Sequence, residues 1–358
     1  MKYITEYRDK HLIDELAARI KQISHREVCF MEVCGSHTMS IHRFGIKSLL
    51  PKNIRLISGP GCPVCVTGKD YIDKAIWLSR KSKTIITTFG DLIKVPGSDS
   101  SLEKARAEGA DVRVVYSILD ALELAESNPG FKIIFLAIGF ETTAPSTASG
   151  VAQAKAKNLR NFYLLTAHKV MPPAMLAIID DDIGVNGFLA PGHVSVITGS
   201  SIYEFIPSGH QRGVVISGFE PVDVMQSIFM LVNQVESGNF KVEIQYKRAV
   251  KPEGNLKAKK LMQQVFRPGD AVWRGLGVLP DSALYLNDEH KDFDAERVFE
   301  INVPPTEEPK GCLCGDILRG IKQPNDCKLF GNVCIPENPV GACMVSSEGA
   351  CNVFYKYS

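Results

Sequence analysis

Ten cysteines lie unevenly along 358 residues. Cys29, Cys34, Cys62 and Cys65 fall near the start, none occurs between Cys65 and Cys312, and six follow between Cys312 and Cys351. In a reducing compartment, clustered thiols point to metal or redox chemistry rather than to structural disulfides. The C-terminal set reads Cys312-x-Cys314-x12-Cys327-x6-Cys334-x8-Cys343-x7-Cys351. So many thiolates with little competing histidine suit a soft-ligand metal, either zinc or an iron–sulfur cluster. Structural zinc prefers paired C-x2-C knuckles, which this segment lacks, whereas a cuboidal cluster takes four thiolates and tolerates irregular spacing. Gly311, Gly315, Gly331, Gly341 and Gly349 would let the backbone bend closely around a bulky group. The competing reading, six scattered core thiols, fits this density poorly. In an extended Cys-x-Cys both side chains point the same way and crowd two corners of one cube. One member is then expected beside the cluster, leaving Cys314 and Cys343 to pair as a redox-active disulfide.

The upstream thiols sit in two short motifs, Cys34-Gly35-Ser36-His37-Thr38 and Gly59-Pro60-Gly61-Cys62-Pro63-Val64-Cys65. Each directly follows an apolar run that reads as a strand. Ligands of open α/β sheets bind outside the carboxyl ends of strands, so both motifs can face one crevice. Helices beginning just after them would depress thiol pKa through the positive end of the helix dipole. A C-x2-C pair binds metal or cycles between dithiol and disulfide, although the same spacing also serves mere turns. Cys29 lies inside a predicted strand and reads as a core thiol. Asp91, Glu141, Thr142, Thr143, His168 and His193 also stand at strand ends, where each singly reads more readily as a cap or a satisfied buried group. His42 is expected at the surface. Neither G-x-G-x-x-G nor a Walker A sequence is present, so no bound nucleotide is indicated. The radical-enzyme pattern C-x3-C-x2-C is absent too.

The elements that must hold these residues follow from apolar periodicity. An amphipathic helix is predicted over 8–23, with Leu12, Ile13, Leu16, Ile20 and Ile23 on one face. Strands are predicted at Val28–Val33, Ile54–Ser58, Thr84–Thr88, Val112–Tyr116, Lys132–Ile138, Phe162–Thr166, Gly187–Ala190 and Gly213–Ser217. Helices between them include Lys69–Arg80, Ile118–Glu126, Pro145–Lys157, Pro173–Asp180 and Val222–Gln234. Continuous apolar strands with helices between them indicate parallel sheets covered on both faces. An internal repeat is visible. Pro60-Gly61-Cys62-Pro63-Val64-Cys65-Val66-Thr67-Gly68 aligns with Pro191-Gly192-His193-Val194-Ser195-Val196-Ile197-Thr198-Gly199, and Gly35-Ser36-His37-Thr38 with Gly139-Phe140-Glu141-Thr142. The fold expected is α/β: two similar parallel-sheet α/β/α (Rossmann-like) units facing a cleft, with a smaller irregular C-terminal iron–sulfur domain. The division expected is an N-terminal helix in 1–25, a first unit in 26–130, a second in 131–250 and a cysteine-bearing domain in 251–358. Lys247 to Glu253 reads as a linker, the helix Leu256–Phe266 follows, and the stretch after it reads as β structure with turns.

Length calls for two or three domains. A formal net charge of +1 gives no large field favouring nucleic acid or a membrane surface. Apolar runs such as Ile133 to Phe140 are too short to span a bilayer. The opening MKYITEYRDKHL is charged early and has no apolar h-region, so a cytoplasmic location is expected.

Taken together, MEVCGSHT, SGPGCPVCVT, GFETTAPS, APGHVSVITG and the tail with CMVSSEGAC resemble the hydrogenase maturation factor HypD family, over essentially the whole chain. The resemblance implies two α/β/α domains about a cleft, a third domain with a [4Fe–4S] cluster, and a role in building the Fe(CN)2CO group of [NiFe]-hydrogenases. It implies a small HypC-type chaperone that shares an iron atom, and a HypE-type donor that delivers cyanide as a thiocyanate on its C-terminal cysteine. Carried over by position, Cys34 is the iron-centre cysteine, Cys62 and Cys65 are its thiol partners with iron or redox roles, and His37 and Glu141 join the catalytic set. Cys312, Cys327, Cys334 and Cys351 would hold the cluster. Cys314 and Cys343 would be the nearby redox pair, as in ferredoxin:thioredoxin reductase, which the tail resembles. A free-standing iron–sulfur thiol–disulfide oxidoreductase is the alternative. It explains C-x2-C and the cluster but leaves the single cysteine of CGSHT without a role.

Overall fold

The structure is a computed structural model that describes residues 5–357. Runs of apolar residues bounded by Gly, Pro and Asn form the eight expected strands, with ends displaced by at most three residues, and a short strand at Val242–Ile244 is added that was not expected. The strands are β1 (Val28–Glu32), β2 (Ile54–Ser58), β3 (Thr84–Thr88), β4 (Asp111–Val114), β5 (Lys132–Gly139), β6 (Phe162–Lys169), β7 (Gly187–Pro191), β8 (Gly213–Ser217), β9 (Val242–Ile244), β10 (Phe266–Trp273) and β11 (Gly277–Leu286). β1, β3, β7 and β8 are buried at every residue, which requires cover on both faces.

The chain is α/β, with a parallel sheet in the order β2-β1-β7-β8-β9 and a second in the order β10-β11-β6-β5-β3-β4. In the second sheet only the β10–β11 and β11–β6 pairings are antiparallel. The sheets do not follow the sequential units expected from the repeat. The first sheet takes β1 and β2 from the expected first unit (26–130) and β7 to β9 from the second (131–250), and the second sheet takes β3 and β4 from the first unit and β5 and β6 from the second. Adding four to each of β1–β4, and subtracting four from each of β5–β8, turns β2-β1-β7-β8 into β6-β5-β3-β4. The two halves are therefore alike but interlaced, and the boundary near residue 130 separates repeats rather than sheets. The match of Gly35-Ser36-His37-Thr38 to Gly139-Phe140-Glu141-Thr142 obeys this relation, because β1 corresponds to β5. The match of the Pro60 and Pro191 segments does not, since these follow β2 and β7, and reflects the chemistry of strand-to-helix turns. The C-terminal part is likewise not separate, because its β10–β11 hairpin extends the second sheet.

Strand alternation sorts the core. Met31, Val33 and Ile57 of the first sheet share one apolar cluster with Ile86, Ile134 and Leu136 of the second and with Cys314 and Cys343 of the tail. The opposite face of the first sheet packs Phe30, Leu56 and Val215 under α1 (Lys10–Ile23) and the helix Pro221–Ser237. Ile20 of α1 is fully buried there, worth about 1.5–3 kcal/mol. Leu12 departs from the expected stripe and is 42% exposed. The expected linker is anchored. Arg248 donates twice to the carboxylate of fully buried Asp223, at 2.8 and 2.5 Å. Asp223 also accepts from Gln245 Nε2 at 2.9 Å, while Gln245 Oε1 accepts the Gly218 N–H at 3.0 Å. This network fixes the turn after β8.

Two outcomes are expected. Asp223→Ala should destabilise the chain by about 3 kcal/mol, because it leaves a guanidinium and two amide groups without their acceptor. A denaturant midpoint shift worth less than about 1 kcal/mol would contradict this. Glu32 closes β1 at 2% exposure, and burial pushes its carboxyl up to about 8 despite hydrogen bonds that include Thr38 Oγ1 at 2.7 Å. An unfolded glutamate titrates near about 4.3, so the native chain holds an extra proton between the two values. That contribution is fully present below the lower value and is lost as pH rises through the higher one. Glu32→Gln should therefore gain stability relative to the parent from pH 5 to pH 9, by about 1.4 kcal/mol per pH unit across the window at most. A difference that does not vary with pH would contradict it.

Candidate functional site

Residues at the carboxyl ends of β1, β2, β7 and β8 share one buried apolar cluster with residues of β3 and β5. Cys34 ends the extended run of β1 and precedes the helix Gly35–Arg43. The turn after β2 passes directly against it, and the Gly35 N–H donates to Gly61 O at 3.2 Å. A Cβ on Gly61 would lie 2.3 Å from the Cys34 nitrogen, so only glycine permits this approach. Cys62 and Cys65 are joined as a disulfide with Cα atoms 5.2 Å apart, at the head of the short helix Pro63–Val66. Proline at the first helical position and the Cys65 N–H donated to Cys62 Sγ at 3.2 Å define that turn. Both cysteines are buried.

The expectation of a thiol activated by its helix is not met at Cys34. Burial pushes its thiol up to about 12, and the Glu348 carboxylate adds to the rise. Desolvation of the thiolate outweighs the dipole of a short helix and the hydrogen bonding from Ser36. Glu348 arrives on the C-terminal tail. It accepts from Ser36 Oγ, and its backbone presses on Gly35, where a Cβ would meet Glu348 O at 2.4 Å. Two residues earlier, Ser346 donates to Asp91 after β3 at 2.9 Å. One tail loop thus ties the Cys34 turn of the first sheet to the second.

His37, fully buried, points its Nε2 at Gly218 O (3.0 Å) and Ser217 O (3.3 Å). Both are acceptors, so Nε2 carries the proton and Nδ1 is left as an unpartnered buried acceptor. Burial holds this ring neutral, with its pKa lowered to about 4. Phe219 is stacked between His37 (4.7 Å) and His193 (3.9 Å). Glu141 comes from the second sheet after β5. One oxygen accepts the Met171 N–H at 3.0 Å, the other is buried without a partner, and burial pushes the carboxyl up to about 7. Tyr203, whose hydroxyl lies 3.2 Å from Ser195 Oγ, feels the charges of both Glu141 and Cys34. His168 bonds Thr147 Oγ1 at 3.0 Å and belongs to the core of the second sheet. Cys29 is a core thiol, as expected. His42 is not a surface residue as expected. It is half-buried, its ring tilted against Phe354 at a centroid distance of 4.3 Å, with burial lowering its pKa to about 4.

All six tail cysteines come together. Cys312 and Cys343 hydrogen-bond to Cys314, which holds the Cys314 thiol well below its ordinary value, and Arg274 lowers it further. Cys343 in turn bonds Cys351, Cys334 interacts with Cys351 and Cys327, and Cys327 with Cys312. Hydrogen bonds link Cys312, Cys314, Cys343 and Cys351 in that order, and charge interactions bring in Cys334 and Cys327. Cys314 opens the helix Cys314–Leu318, so the Cys-x-Cys is not extended, yet its two thiols still meet. Among the described residues no three His, Cys, Asp or Glu side chains converge on a single-ion site. An all-thiol set, Val340 N–H on Cys334 Sγ at 3.3 Å, and Gly341 lying against Cys312 and Cys314 suit a larger soft group such as a cuboidal cluster. The set adjoins the disulfide, because Cys65 Sγ is 4.0 Å from the carbonyl oxygen of Ala342, next to Cys343.

Sequence reasoning missed Glu348, Phe219, Tyr203 and Arg274. Glu348 lies inside the CMVSSEGAC run, and Gly218-Phe219-Glu220 repeats Gly139-Phe140-Glu141 after another strand, so two of the four had a signal.

Residues 10–358 match the HypD model described as the Hydrogenase formation hypA family. The chain is 48% identical over 368 residues to Hydrogenase maturation factor HypD2 of Bradyrhizobium diazoefficiens, covering 100% of this chain and 97% of the relative. It is 47% identical over 369 residues to Hydrogenase maturation factor HypD of Cupriavidus necator, with 100% and 97% covered. It is 44% identical over 366 residues to that of Escherichia coli, with 100% and 98% covered. Full-length similarity at this level, together with the Cys34 turn, the Cys62–Cys65 pair and the six-cysteine tail, places this chain in the HypD family of hydrogenase maturation factors.

Proposed function

We propose that this protein is a cytoplasmic scaffold on which the Fe(CN)2CO fragment of [NiFe]-hydrogenases is assembled, with iron held at Cys34 as cargo. A HypC-type chaperone shares that iron, and a HypE-type donor brings cyanide as a protein thiocyanate. The observation that carries this reading is the contiguity of three thiol stations: Cys34 against Gly61, the Cys62–Cys65 pair beside it, and the tail thiols reached through Ala342. Cys312, Cys327, Cys334 and Cys351 would hold a [4Fe–4S] cluster, which supplies single electrons when bound.

The chain's own residues then have definite tasks. Release of cyanide from a thiocyanate consumes two electrons and one proton, giving a thiol and cyanide. The reduced Cys62/Cys65 pair supplies both electrons as it closes to a disulfide and gives up two protons, so one proton is left over. Cys314 and Cys343 re-open that disulfide by thiol–disulfide exchange, and the Cys314 thiolate is the attacking group. His37 Nδ1, neutral and unpartnered, accepts a hydrogen bond beside the Cys34 turn. Phe219 and the Gly218 carbonyl fix its plane, and Glu141 with Tyr203 provides a proton-holding group on the opposite wall.

Cys34→Ala should abolish iron in complexes pulled down with a small partner bearing an N-terminal cysteine, and should abolish hydrogenase maturation. Retention of both would leave the thiol–disulfide oxidoreductase reading in place of the scaffold. Cys314→Ser or Cys343→Ser should slow reduction of the Cys62–Cys65 disulfide at least tenfold while cluster colour persists. Unchanged reduction would sink the relay. Glu348→Gln removes a negative charge that disfavours the Cys34 thiolate, so alkylation of Cys34 at pH 8 should speed up severalfold. An equal or slower rate would show that Glu348 acts only by packing.

A further inference from the structure

The ring of His37 is held from outside the cysteine motifs. Its Nε2–H lies on the carbonyls that flank one glycine in the turn after β8, Gly218 O at 3.0 Å and Ser217 O at 3.3 Å. The peptide that offers the Ser217 oxygen donates its own N–H, that of Gly218, to Gln245 Oε1 at 3.0 Å. The Gln245 amide has no choice of direction. Its Nε2 donates to Asp223 Oδ1 and to Gln226 Oε1, both at 2.9 Å, so its oxygen must face the Gly218 N–H. A Cβ on Gly218 would lie 2.4 Å from Asp223 Oδ2, and only its lack of a side chain lets the turn rest on that carboxylate. Asp223 is fully buried and accepts both arms of the Arg248 fork. The guanidinium in turn stands 3.8 Å from the Tyr7 ring and 4.4 Å from the Tyr246 ring. Tyr7 belongs to the single turn Thr5–Arg8, and Arg8 Nη2 donates to Glu220 Oε1 at 2.9 Å. The N-terminal turn therefore grips the Gly218 turn twice, once through Arg248 and once through Glu220.

We propose that Gln245, Asp223 and Arg248 are positioning residues that hold the His37 ring in place as its Nε2–H form, and that the N-terminal turn bearing Tyr7 keeps this support closed. Away from water the links reinforce one another. The carboxylate polarises the Gln245 amide, its oxygen then takes the Gly218 N–H more strongly, and the Ser217 carbonyl becomes a better acceptor for His37. Asp223 so acts on the imidazole by way of an amide and a peptide, and Nδ1 is left as the open acceptor of the ring. That this acceptor serves a fragment at Cys34 rests on the scaffold reading above, whereas the support itself does not.

The test follows the ring Nε2–H protons of His37 and His168 by NMR in full-length protein with 15N-labelled histidine, each signal assigned by its loss in His37→Gln or His168→Gln. His168 donates to Thr147 Oγ1, whose own proton goes to Thr143 O, in the core of the second sheet, and is the internal reference. A general loss of stability speeds solvent exchange of both protons, and loss of the support speeds only that of His37. Gln245→Met keeps the Asp223–Arg248 pair and should speed exchange at His37 about tenfold relative to His168. Tyr7→Ala should speed it about threefold, and Tyr7→Phe, which keeps a ring over Arg248, should match the parent. An unchanged ratio of the two rates in Gln245→Met overturns the proposal. If Tyr7→Ala and Tyr7→Phe behave alike, the N-terminal turn is no part of the support. If the ratio moves in Gln245→Met while hydrogenase maturation and bound iron stay at the parent's level, the support stands and the role given to His37 by the scaffold reading fails instead.

Discussion

Everything at this site depends on how closely two backbone turns approach each other. The Cβ of any residue at position 61 would fall 2.4 Å from the Cα of Cys34, and the Gly35 N–H closes the contact on Gly61 O. Because β1 and β2 are parallel neighbours, their carboxyl ends leave the sheet side by side. Glycine at 61 lets one turn lie on the other, with no side chain between Cys34 and the helix that carries the C-x2-C pair. The same economy of volume recurs at Gly35 under Glu348, at Gly341 against Cys312 and at Gly349 against Cys343. The tail can close over the Cys34 turn only because these positions lack a side chain.

The interlaced halves explain why one small region can collect so many strand ends. Each half places two strands in each sheet, so the chain crosses between sheets as it leaves β2 and again as it leaves β6. Cys34 and Glu141 follow equivalent strands, β1 and β5, and the repeat relation sets them on opposite walls. The equivalence is in position only. After β1 the motif supplies a sulfur and an imidazole, and after β5 a carboxyl. The tail then breaks the symmetry completely, since Ser346 and Glu348 bind one wall each.

Strand positions were legible in the sequence to within a few residues, because a buried parallel strand is a local signal: an apolar run ended by Gly, Pro or Asn. Sheet membership was not legible. Which strand lies beside β1 is decided by crossovers of the intervening chain, and Phe188 of β7 pairs with Met31 across more than the whole length of the first repeat. The thiol motifs declared themselves through cysteine spacing. Glu348 did not, because its partner Ser36 is 312 residues away. Arg274 carries no local signal in the sequence, since its bonds to Val66 O and Thr67 O depend on the hairpin packing against the Cys62–Cys65 helix. The expectation of an activated Cys34 failed for a related reason. A helix start is visible in sequence, but the desolvation that outweighs it depends on what packs over the turn.

That failure bears on what Cys34 is suited to do. A thiol pushed up to about 12 is almost entirely protonated at neutral pH. It is a poor nucleophile, slow to react with oxidants or electrophiles, since the thiolate is the reactive form. A metal ion binds the thiolate and must displace the proton, so the raised pKa acts as a threshold that weakly held cations do not cross. Soft, strongly thiophilic iron carrying cyanide and carbon monoxide, the cargo proposed for this site, would meet that threshold. Burial also works in the other direction. A neutral thiol left behind when the fragment departs is stable in this environment, so the features that make Cys34 slow to load also favour release. For the proposed scaffold, which would pass its cargo on, that balance is more useful than tight binding.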